Sequence, residues 1–402
     1  MDRIILHVDV NNAFLSWTAV DRLKHGETLD IRTIPAIIGG DEKQRKGVVL
    51  AKSPIAKKFG IQTGEPIYFA RKKCPNLQIF QSNFKVYYQY SNALYELLCE
   101  YTNKIERFSI DECFMDMTNY LKNRKPYEIA LEINRRVKEK FGFTVNIGIA
   151  NNKLLAKMAS DFEKPDKIHT LYESEIKTKM WSLPVSELFM VGKKSLQKLE
   201  KMHIKTIGDL AQKDKLELIK AFGKYGRMIW EYANGIDDSD VIYEEQEPKC
   251  VGNSVTLPYD FSDIEKIKEV LLSIVEQTTY RLRKHGLYAS VVNVQIKTKD
   301  FKVFSHQRKM ETATNSTKII YEEAKKLLEE LYKGIPIRLI GVRVDGLSKK
   351  DEIQISLFDN KQNEKQEKID LVLDKIKDKY GYNAITRAGK IDLNEVPNKL
   401  KE

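Results

Sequence analysis

The chain has 402 residues, 42% hydrophobic and 31% charged, with a formal net charge of +11. That length exceeds one hydrophobic core and predicts about two to four domains, and the composition excludes wholesale disorder. The basic balance favours an anionic partner, nucleic acid or a membrane surface, without choosing between them.

The first residues, "RIILHVDV" (Arg3 to Val10), are β-branched and almost continuously apolar, as in a strand covered on both faces. They show no basic segment leading into a long apolar run, no stretch approaches a membrane span, and neither secretion nor a transmembrane helix is expected. Cys74, Cys99, Cys113 and Cys250 are scattered without a CxxC pair, which argues against a zinc site or a disulfide framework and fits free thiols in a reducing cytoplasm.

After the strand, "NAFLSWTAVDRLKHG" places Phe14, Trp17, Ala19 and Leu23 near helical spacing, with Gly26 as the stop. Asp30 to Pro75 is a mixed segment rich in Gly, Pro and Lys and reads as a small inserted subdomain. A helix through "NFKVYYQYSNALYELLCEYTNKI", extended structure at "IERFSIDECFMDMT", and the helix–strand–helix series "YEIALEINRRVKEKFG", "FTVNIGIA" and "NNKLLAKMASDF" follow. This β-α-(insert)-α-β-β-α-β-α order predicts an α+β sheet with helices on one face.

Beyond Trp181, "LPVSELFMVGKKSLQKLEKMHIKTIGDLAQ" reads as a helix, a tight "VGKK" turn and a second helix, opening an all-helical domain. "YEEQEPK" has the charge and proline of a linker. Val251 to Leu347 reads as a second α+β unit rich in basic and hydroxyl side chains, and the tail from Ser348 is charged and partly helical.

Asp9 ends one strand, and Asp111 and Glu112 lie in another apolar segment. Carboxylates in apolar surroundings need a compensating cation, and three that converge would suit two Mg²⁺ ions serving a primer 3′-hydroxyl and a triphosphate. The plainer alternative is that the adjacent acids mark a turn and Asp9 caps the next helix. Neighbours on a regular strand point to opposite faces, so Asp111 and Glu112 can share a site only where the chain bends.

Lys153, Lys157 and Lys164 on and after the last helix could supply charge to a triphosphate, or simply form a solvated face. "VGKKS" would offer backbone N–H groups and lysines to a DNA phosphate, as helix-hairpin-helix elements do. "IGGDEK" (Ile38 to Lys43) is set aside as a cyclase-type GGDEF signature, since lysine stands where phenylalanine is required.

Together, "HVDVNNAFLSW", "GVVLAKSPIAKKFGI", "FSIDECFMDMT", "IGIANNKLLAKMASDFEKP", "LPV...VGKKS...TIGDL" and "GVRVDGL" resemble a Y-family, translesion DNA polymerase of the bacterial polymerase IV type, from Asp2 to about Leu347. The resemblance implies an α+β right-hand polymerase with a ferredoxin-like palm (residues 1–25 and 81–180), small inserted fingers (26–80) and a helical thumb (181–240) carrying a helix-hairpin-helix-like element. A linker (241–250), an α+β little finger (251–347) and a charged tail (348–402) complete it.

It also implies that Asp9, Asp111, Glu112 and the Val10 carbonyl hold two Mg²⁺ ions, and that Asn12, Ala13 and Phe14 form the nucleotide turn, Phe14 as steric gate. Lys164 matches the triphosphate lysine. Where most members carry tyrosine and arginine this chain has Pro54 and Lys57, so Lys57 supplies charge without a bidentate fork and Lys52 is the alternative. Asn11 replaces a usual aspartate and Ala13 a bulkier residue.

DNA contacts are expected from Gly192, Lys193 and Lys194 in the thumb and from Lys297, Lys299, His306 and Arg308 in the little finger. "QISLF" resembles a sliding-clamp peptide with Gln354, Leu357 and Phe358 as anchors. The implied protein is a cytoplasmic monomer that binds primer-template DNA, dNTP and the clamp, with no membrane partner. A non-catalytic DNA-binding or clamp-associated scaffold would show no incorporation, and a nucleotide cyclase would turn over nucleotide without a template.

Overall fold

The computed structural model describes residues 3–40, 47–244, 246–352, 361–382, 384 and 385. They form two compact units, the first from Met1–Gly40 and Val48–Glu245 and the second mainly from Gln246–Glu402.

The first unit opens with β1 (Ile5–Val10) and α1 (Ala13–Lys24), and a small inserted layer follows: β2 (Ala36–Gly39), β3 (Val49–Lys52), α2 (Pro54–Lys58), α3 (Ile67–Lys73) and β4 (Gln78–Gln81). Ser53 starts α2 by accepting from the Ala56 N–H at 3.0 Å, with Pro54 in the first turn, where its missing N–H costs nothing. The chain continues through α4 (Phe84–Cys99), β5 (Ile105–Arg107), β6 (Glu112–Asp116), α5 (Pro126–Phe141), β7 (Val145–Ala150), α6 (Lys153–Asp161) and β8 (Ile168–Thr170).

The main sheet runs β5-β6-β1-β7-β8, and the insert is a separate sheet ordered β3-β2-β4. All six residues of β1 are buried, and their alternation explains why. Leu6, Val8 and Val10 pack with Trp17 of α1, Leu94 of α4 and Ile133 of α5, while Ile5 packs on the other side with Leu155 and Ala159 of α6. Helices therefore cover both faces, not the one face expected: on the second face Ile5 and, across from His7 on β6, Phe114 form an apolar patch on which α6 packs.

Four short helices close the unit: α7 (Lys193–Lys201), α8 (Ile207–Gln212), α9 (Lys215–Phe222) and α10 (Lys224–Ala233). Leu199, Ile207, Leu218 and Ile229 join them to the core under α6. The helix expected ahead of "VGKK" is instead one 3-10 turn, Val185–Glu187, entered from Pro184. Pro184 opens the turn in extended backbone and Leu188 leaves it extended, so Gly192 caps α7 and both lysines fall in its first turn.

The second unit contains β9 (Cys250–Phe261), α11 (Ile264–Lys284), β10 (Tyr288–Thr298), β11 (Val303–Thr314), α12 (Thr317–Leu331), β12 (Ile337–Ser348) and α13 (Lys361–Tyr380). The antiparallel sheet β11-β10-β12-β9 presents Val292, Val294 and Ile296 to Leu271 and Ile274 of α11 and Ile320 and Leu327 of α12. Strand β9 escapes sequence reading because Gly252 and Pro258 interrupt it, which an edge strand tolerates.

Helix α13 is fastened to this unit by charge. Arg283 donates to both carboxylate oxygens of Asp374 at 2.6 and 2.9 Å, and Asp370 accepts from the Thr317 N–H at the start of α12 at 2.9 Å. The "QISLF" anchors Gln354, Leu357 and Phe358, and Asp41 to Lys43 of "IGGDEK", lie outside the described residues. No helix among the described residues is long and apolar enough to cross a membrane.

Candidate active site

A tight bend separates the two adjacent acids. The Phe108 and Ser109 N–H groups both donate to the Glu112 carbonyl, at 3.0 and 3.2 Å, so the chain turns between β5 and β6. Asp111 sits in the bend and Glu112 begins β6, which frees the pair from strict strand alternation. Asp9 lies directly across from Glu112 in the β1–β6 register, and the Val10 N–H donates to the Asp111 carbonyl at 3.0 Å. Asp9 caps nothing: Asn12 stands at the N-cap of α1.

Two lysines answer these carboxylates. Lys157 Nζ is 2.8 Å from Glu112 Oε1, 3.3 Å from Asp161 Oδ2 and 3.8 Å from Asp9 Oδ2. Lys164 bonds Asp9 and lies 2.7 Å from Asp161 Oδ1. Burial works against charge on Glu112, yet its surroundings hold its carboxyl down to about 2. His7 lies 3.8 Å away, beyond hydrogen-bond reach, and its own burial keeps it neutral, so Lys157 carries that compensation. Desolvation pushes the Asp9 carboxyl up despite both lysines, while Lys164, opposed by burial but favoured by Asp9, is held up to about 12.

The approach of α6 to the sheet sets this cluster. Gly148 of β7 faces α6 where a Cβ would fall 1.9 Å from the Ala156 carbonyl oxygen, so only glycine lets the backbones meet. That contact brings Ser160 Oγ within 2.8 Å of His7 Nδ1. Asn146, opposite Asp9 on β7, donates to the Ser160 and Glu163 carbonyls at 2.9 and 2.6 Å and fixes the end of α6. Gly148, Asn146, His7 and Ser160 were not visible as site residues in the sequence. Their signal is cross-strand register, which a single chain read linearly does not display.

The Asn12–Phe14 turn is equally defined. Asn12 is left-handed (φ 50°), a conformation asparagine tolerates, and its amide donates to the Lys52 carbonyl at 2.7 Å instead of capping α1. This joins β3 to the turn, with Ala13 buried behind it. Burial and the nearby Lys57 charge lower the Lys52 ammonium, placing both lysines in one field. Phe14 is half-buried and stacked on Tyr87, with centroids 4.6 Å apart and planes 17° from parallel, and Phe84 meets it edge-on.

Gly192, Lys193 and Lys194 are exposed together at the N-terminus of α7. The four residues expected in the second unit are not together. Val294 pairs with His306 and Val292 with Arg308, so both side chains share the helix-covered face. There His306 lies 3.0 Å from Glu330, and Arg308 lies 2.5 Å from Glu330 and 3.5 Å from Glu323. Lys297 has the opposite parity and shares the open face with Lys309 and Arg343, while Lys299 is exposed past the strand end. His306 and Arg308 are thus bound by acids of α12; the sequence reading lacked the register that separates them from Lys297.

Among the described residues, no three His, Cys, Asp or Glu side chains are gathered as a ready metal cluster. Asp111 accepts from Ser109 Oγ at 2.6 Å, and Asp9 and Glu112 are turned to the lysines. The donors nevertheless fit a hard divalent cation: all are carboxylate oxygens, on two paired strands and the bend between β5 and β6.

The impB/mucB/samB family model matches residues 8–161, its C-terminal domain model residues 248–357, and the DNA polymerase-iota thumb domain model residues 186–237. DNA polymerase IV of Clostridium acetobutylicum is 51% identical over 98% of this chain and 100% of its own length. DNA polymerase IV 2 of Bacillus subtilis is 36% identical over 97% and 95%. Among solved structures, a Y-family DNA polymerase chimera built on Dbh superposes with a TM-score of 0.76 at 26% identity, covering 86% of this chain and 100% of that one. DinB from Sulfolobus solfataricus gives 0.57 at 26%, covering 85% and 98%. With the acids, the lysines and the Asn12–Phe14 turn already described, these matches establish that the chain belongs to the Y-family DNA polymerases, as a DNA-directed DNA polymerase of the DNA polymerase IV type.

Proposed function

We propose that the chain extends a primer on a DNA template at the junction of β1 and β6, with Asp9, Asp111, Glu112 and the Val10 carbonyl holding two Mg²⁺ ions. It is a translesion DNA polymerase, and its chemistry is nucleotidyl transfer that needs a divalent metal. The observation that carries the site assignment is the register pairing of Asp9 with Glu112, with Asp111 in the adjoining bend. Bound there, the ions would lower the pKa of the primer 3′-hydroxyl and offset charge on the triphosphate and the leaving pyrophosphate.

The chain's own groups bind and orient. The N-terminus of α1 has no side-chain cap, leaving N–H groups of the Asn12–Ala13–Phe14 turn for phosphate oxygens. Lys164 turns from Asp9 to the triphosphate, and Lys57 with Lys52 adds charge from the insert. Phe14, braced by Tyr87, closes the space a ribose 2′-hydroxyl would need. Residues 1–25 and 81–180 then serve as palm, 26–80 as fingers, 181–240 as thumb and 251–347 as little finger, joined through 241–250 and followed by the tail 348–402.

Primer-template DNA is held through its phosphates by Gly192, Lys193 and Lys194 and by Lys297 and Lys299 beside Lys309 and Arg343. Low fidelity goes with the translesion role. Gln354, Leu357 and Phe358 take the sliding clamp, and the enzyme works as a cytoplasmic monomer. The test is primer extension with Mg²⁺ and all dNTPs. Wild type should give a template-dependent ladder and Asp111→Ala none, with DNA affinity retained; extension by Asp111→Ala at the wild-type rate would overturn the assignment.

A further inference from the structure

The position of Lys157 has a consequence beyond neutrality. Its residue is 7% exposed, and its ammonium stands among Glu112, Asp161 and Asp9 at 2.8, 3.3 and 3.8 Å. Helix α6 is held on the sheet, where its Ala156–Ser160 backbone meets Gly148 and Asn146 donates to the Ser160 carbonyl, so Lys157 leaves the carboxylates by turning its own side chain. Two of its three carboxylate neighbours are ones assigned above to the metal.

We infer that Lys157 is a resident counter-cation: it occupies the charge position that a divalent ion takes at Glu112 and Asp9, and so opposes metal loading until a nucleotide arrives. This rests on the metal assignment proposed above. Lysine and metal compete for the same carboxylate oxygens, since a divalent ion bound at Glu112 lies within a few ångströms of a buried ammonium. A triphosphate reverses the balance. It carries enough negative charge to accept the metal, Lys157 and Lys164 at once, so the repulsion that weakens the ion alone becomes shared attraction.

The resting enzyme thereby folds with its acids compensated and keeps little affinity for free cation, while nucleotide and metal strengthen each other's binding. Reciprocity follows from linkage: whatever factor the nucleotide adds to metal affinity, the metal adds to nucleotide affinity. Lys157 is a positioning residue in this scheme, acting through the carboxylates it releases.

The test uses the full chain without DNA. Mn²⁺ binding is followed by electron paramagnetic resonance, and Mg²⁺ binding by the rise in thermal unfolding midpoint, in wild type, Lys157→Met and Lys157→Arg. Removal of the charge should tighten cation binding on the order of tenfold or more, and Lys157→Arg should bind like wild type. A non-hydrolysable dNTP analogue should tighten Mn²⁺ binding to wild type more than to Lys157→Met. Lys157→Gln, which keeps a donor for Glu112, covers the case in which methionine prevents folding. Lys153→Met is the control: its ammonium pairs with Glu106 at 2.7 Å and should not affect the cation. Equal Mn²⁺ affinity in wild type, Lys157→Met and Lys157→Gln would overturn the inference while leaving the metal site standing. Failure of every variant to bind Mn²⁺, with and without the analogue, would overturn the metal assignment itself.

Discussion

Gly148→Ala is the sharpest perturbation of the site that touches none of its functional groups. The added Cβ would lie 1.9 Å from the Ala156 carbonyl oxygen and 2.6 Å from the Ser160 nitrogen, where ordinary contact begins at 3.4 Å. Both obstacles are backbone, so no side chain can swing aside. The helix must retreat from β7 by the difference, about 1.5 Å. Overpacking of this kind costs about 1–3 kcal/mol, and a backbone collision belongs at the upper end. For a unit of this size that is a fall of roughly 6–12 °C in unfolding midpoint.

The same displacement would stretch the Lys157–Glu112 contact from 2.8 Å to about 4 Å, past hydrogen-bond reach. Lys164, proposed above for the triphosphate, rides on the loop after α6, and misplacement on this scale typically costs about a hundredfold in rate, so kcat/KM for single-nucleotide insertion should fall about that far. Affinity for primer-template should hold, because the surfaces assigned to DNA lie elsewhere. Thermal unfolding, single-turnover insertion and DNA anisotropy measure the three quantities. A Gly148→Ala protein that melts and inserts nucleotide like wild type would refute the claim that this contact sets the site.

Phe14→Ala should admit ribonucleotides, and Tyr87→Ala should do so partially by freeing the ring stacked on it; unchanged sugar selection in both variants would remove the gate. In the second unit, Lys309→Ala and Arg343→Ala should each weaken DNA binding and reduce the slope of log affinity against log salt by about 0.9, whereas His306→Ala and Arg308→Ala should leave that slope unchanged. An equal effect of all four would mean that the sheet does not present DNA to its open face. Glu112 is depressed from 4.5 to about 2, so its stabilising contribution is complete above pH 4.5 and disappears as pH falls through about 2. In acid titrations, the stability difference between wild type and Glu112→Gln should shrink over that window; a constant difference would show that the carboxylate is not held by its charge.

The parts of the fold legible in the sequence are those that rest on local pattern. The apolar run of β1 and the helical spacing of α1, with Gly26 as its stop, declare themselves through periodicity and end residues. The acids were legible for a related reason, since Asp9, Asp111 and Glu112 are conspicuous in segments otherwise fit for burial. What stayed hidden depends on pairing. Which residues of β10 and β11 share a face is decided by register, and without it Arg308 looks like a partner of Lys297. Lys157 was indistinguishable from a solvated helix face until Gly148 fixed where α6 lies. Strand β9 was masked by a proline that only its edge position permits.

Asn11 shows how a departure from the family pattern becomes intelligible through the same network. Its amide nitrogen donates to Asn146 Oδ1 at 3.0 Å, while its own oxygen accepts from Thr144 Oγ1 and from the Asp166 N–H, both at 2.9 Å. Asn146 cannot reverse its amide to suit an aspartate at position 11, because its nitrogen is committed to the Ser160 and Glu163 carbonyls. An aspartate would therefore set two oxygens against each other at a buried position, with no proton between them at neutral pH. Asparagine instead links β1, β7 and the loop that carries Lys164 in one satisfied chain of hydrogen bonds. The position thus gives up a carboxylate and gains control over where the loop that carries Lys164 stands.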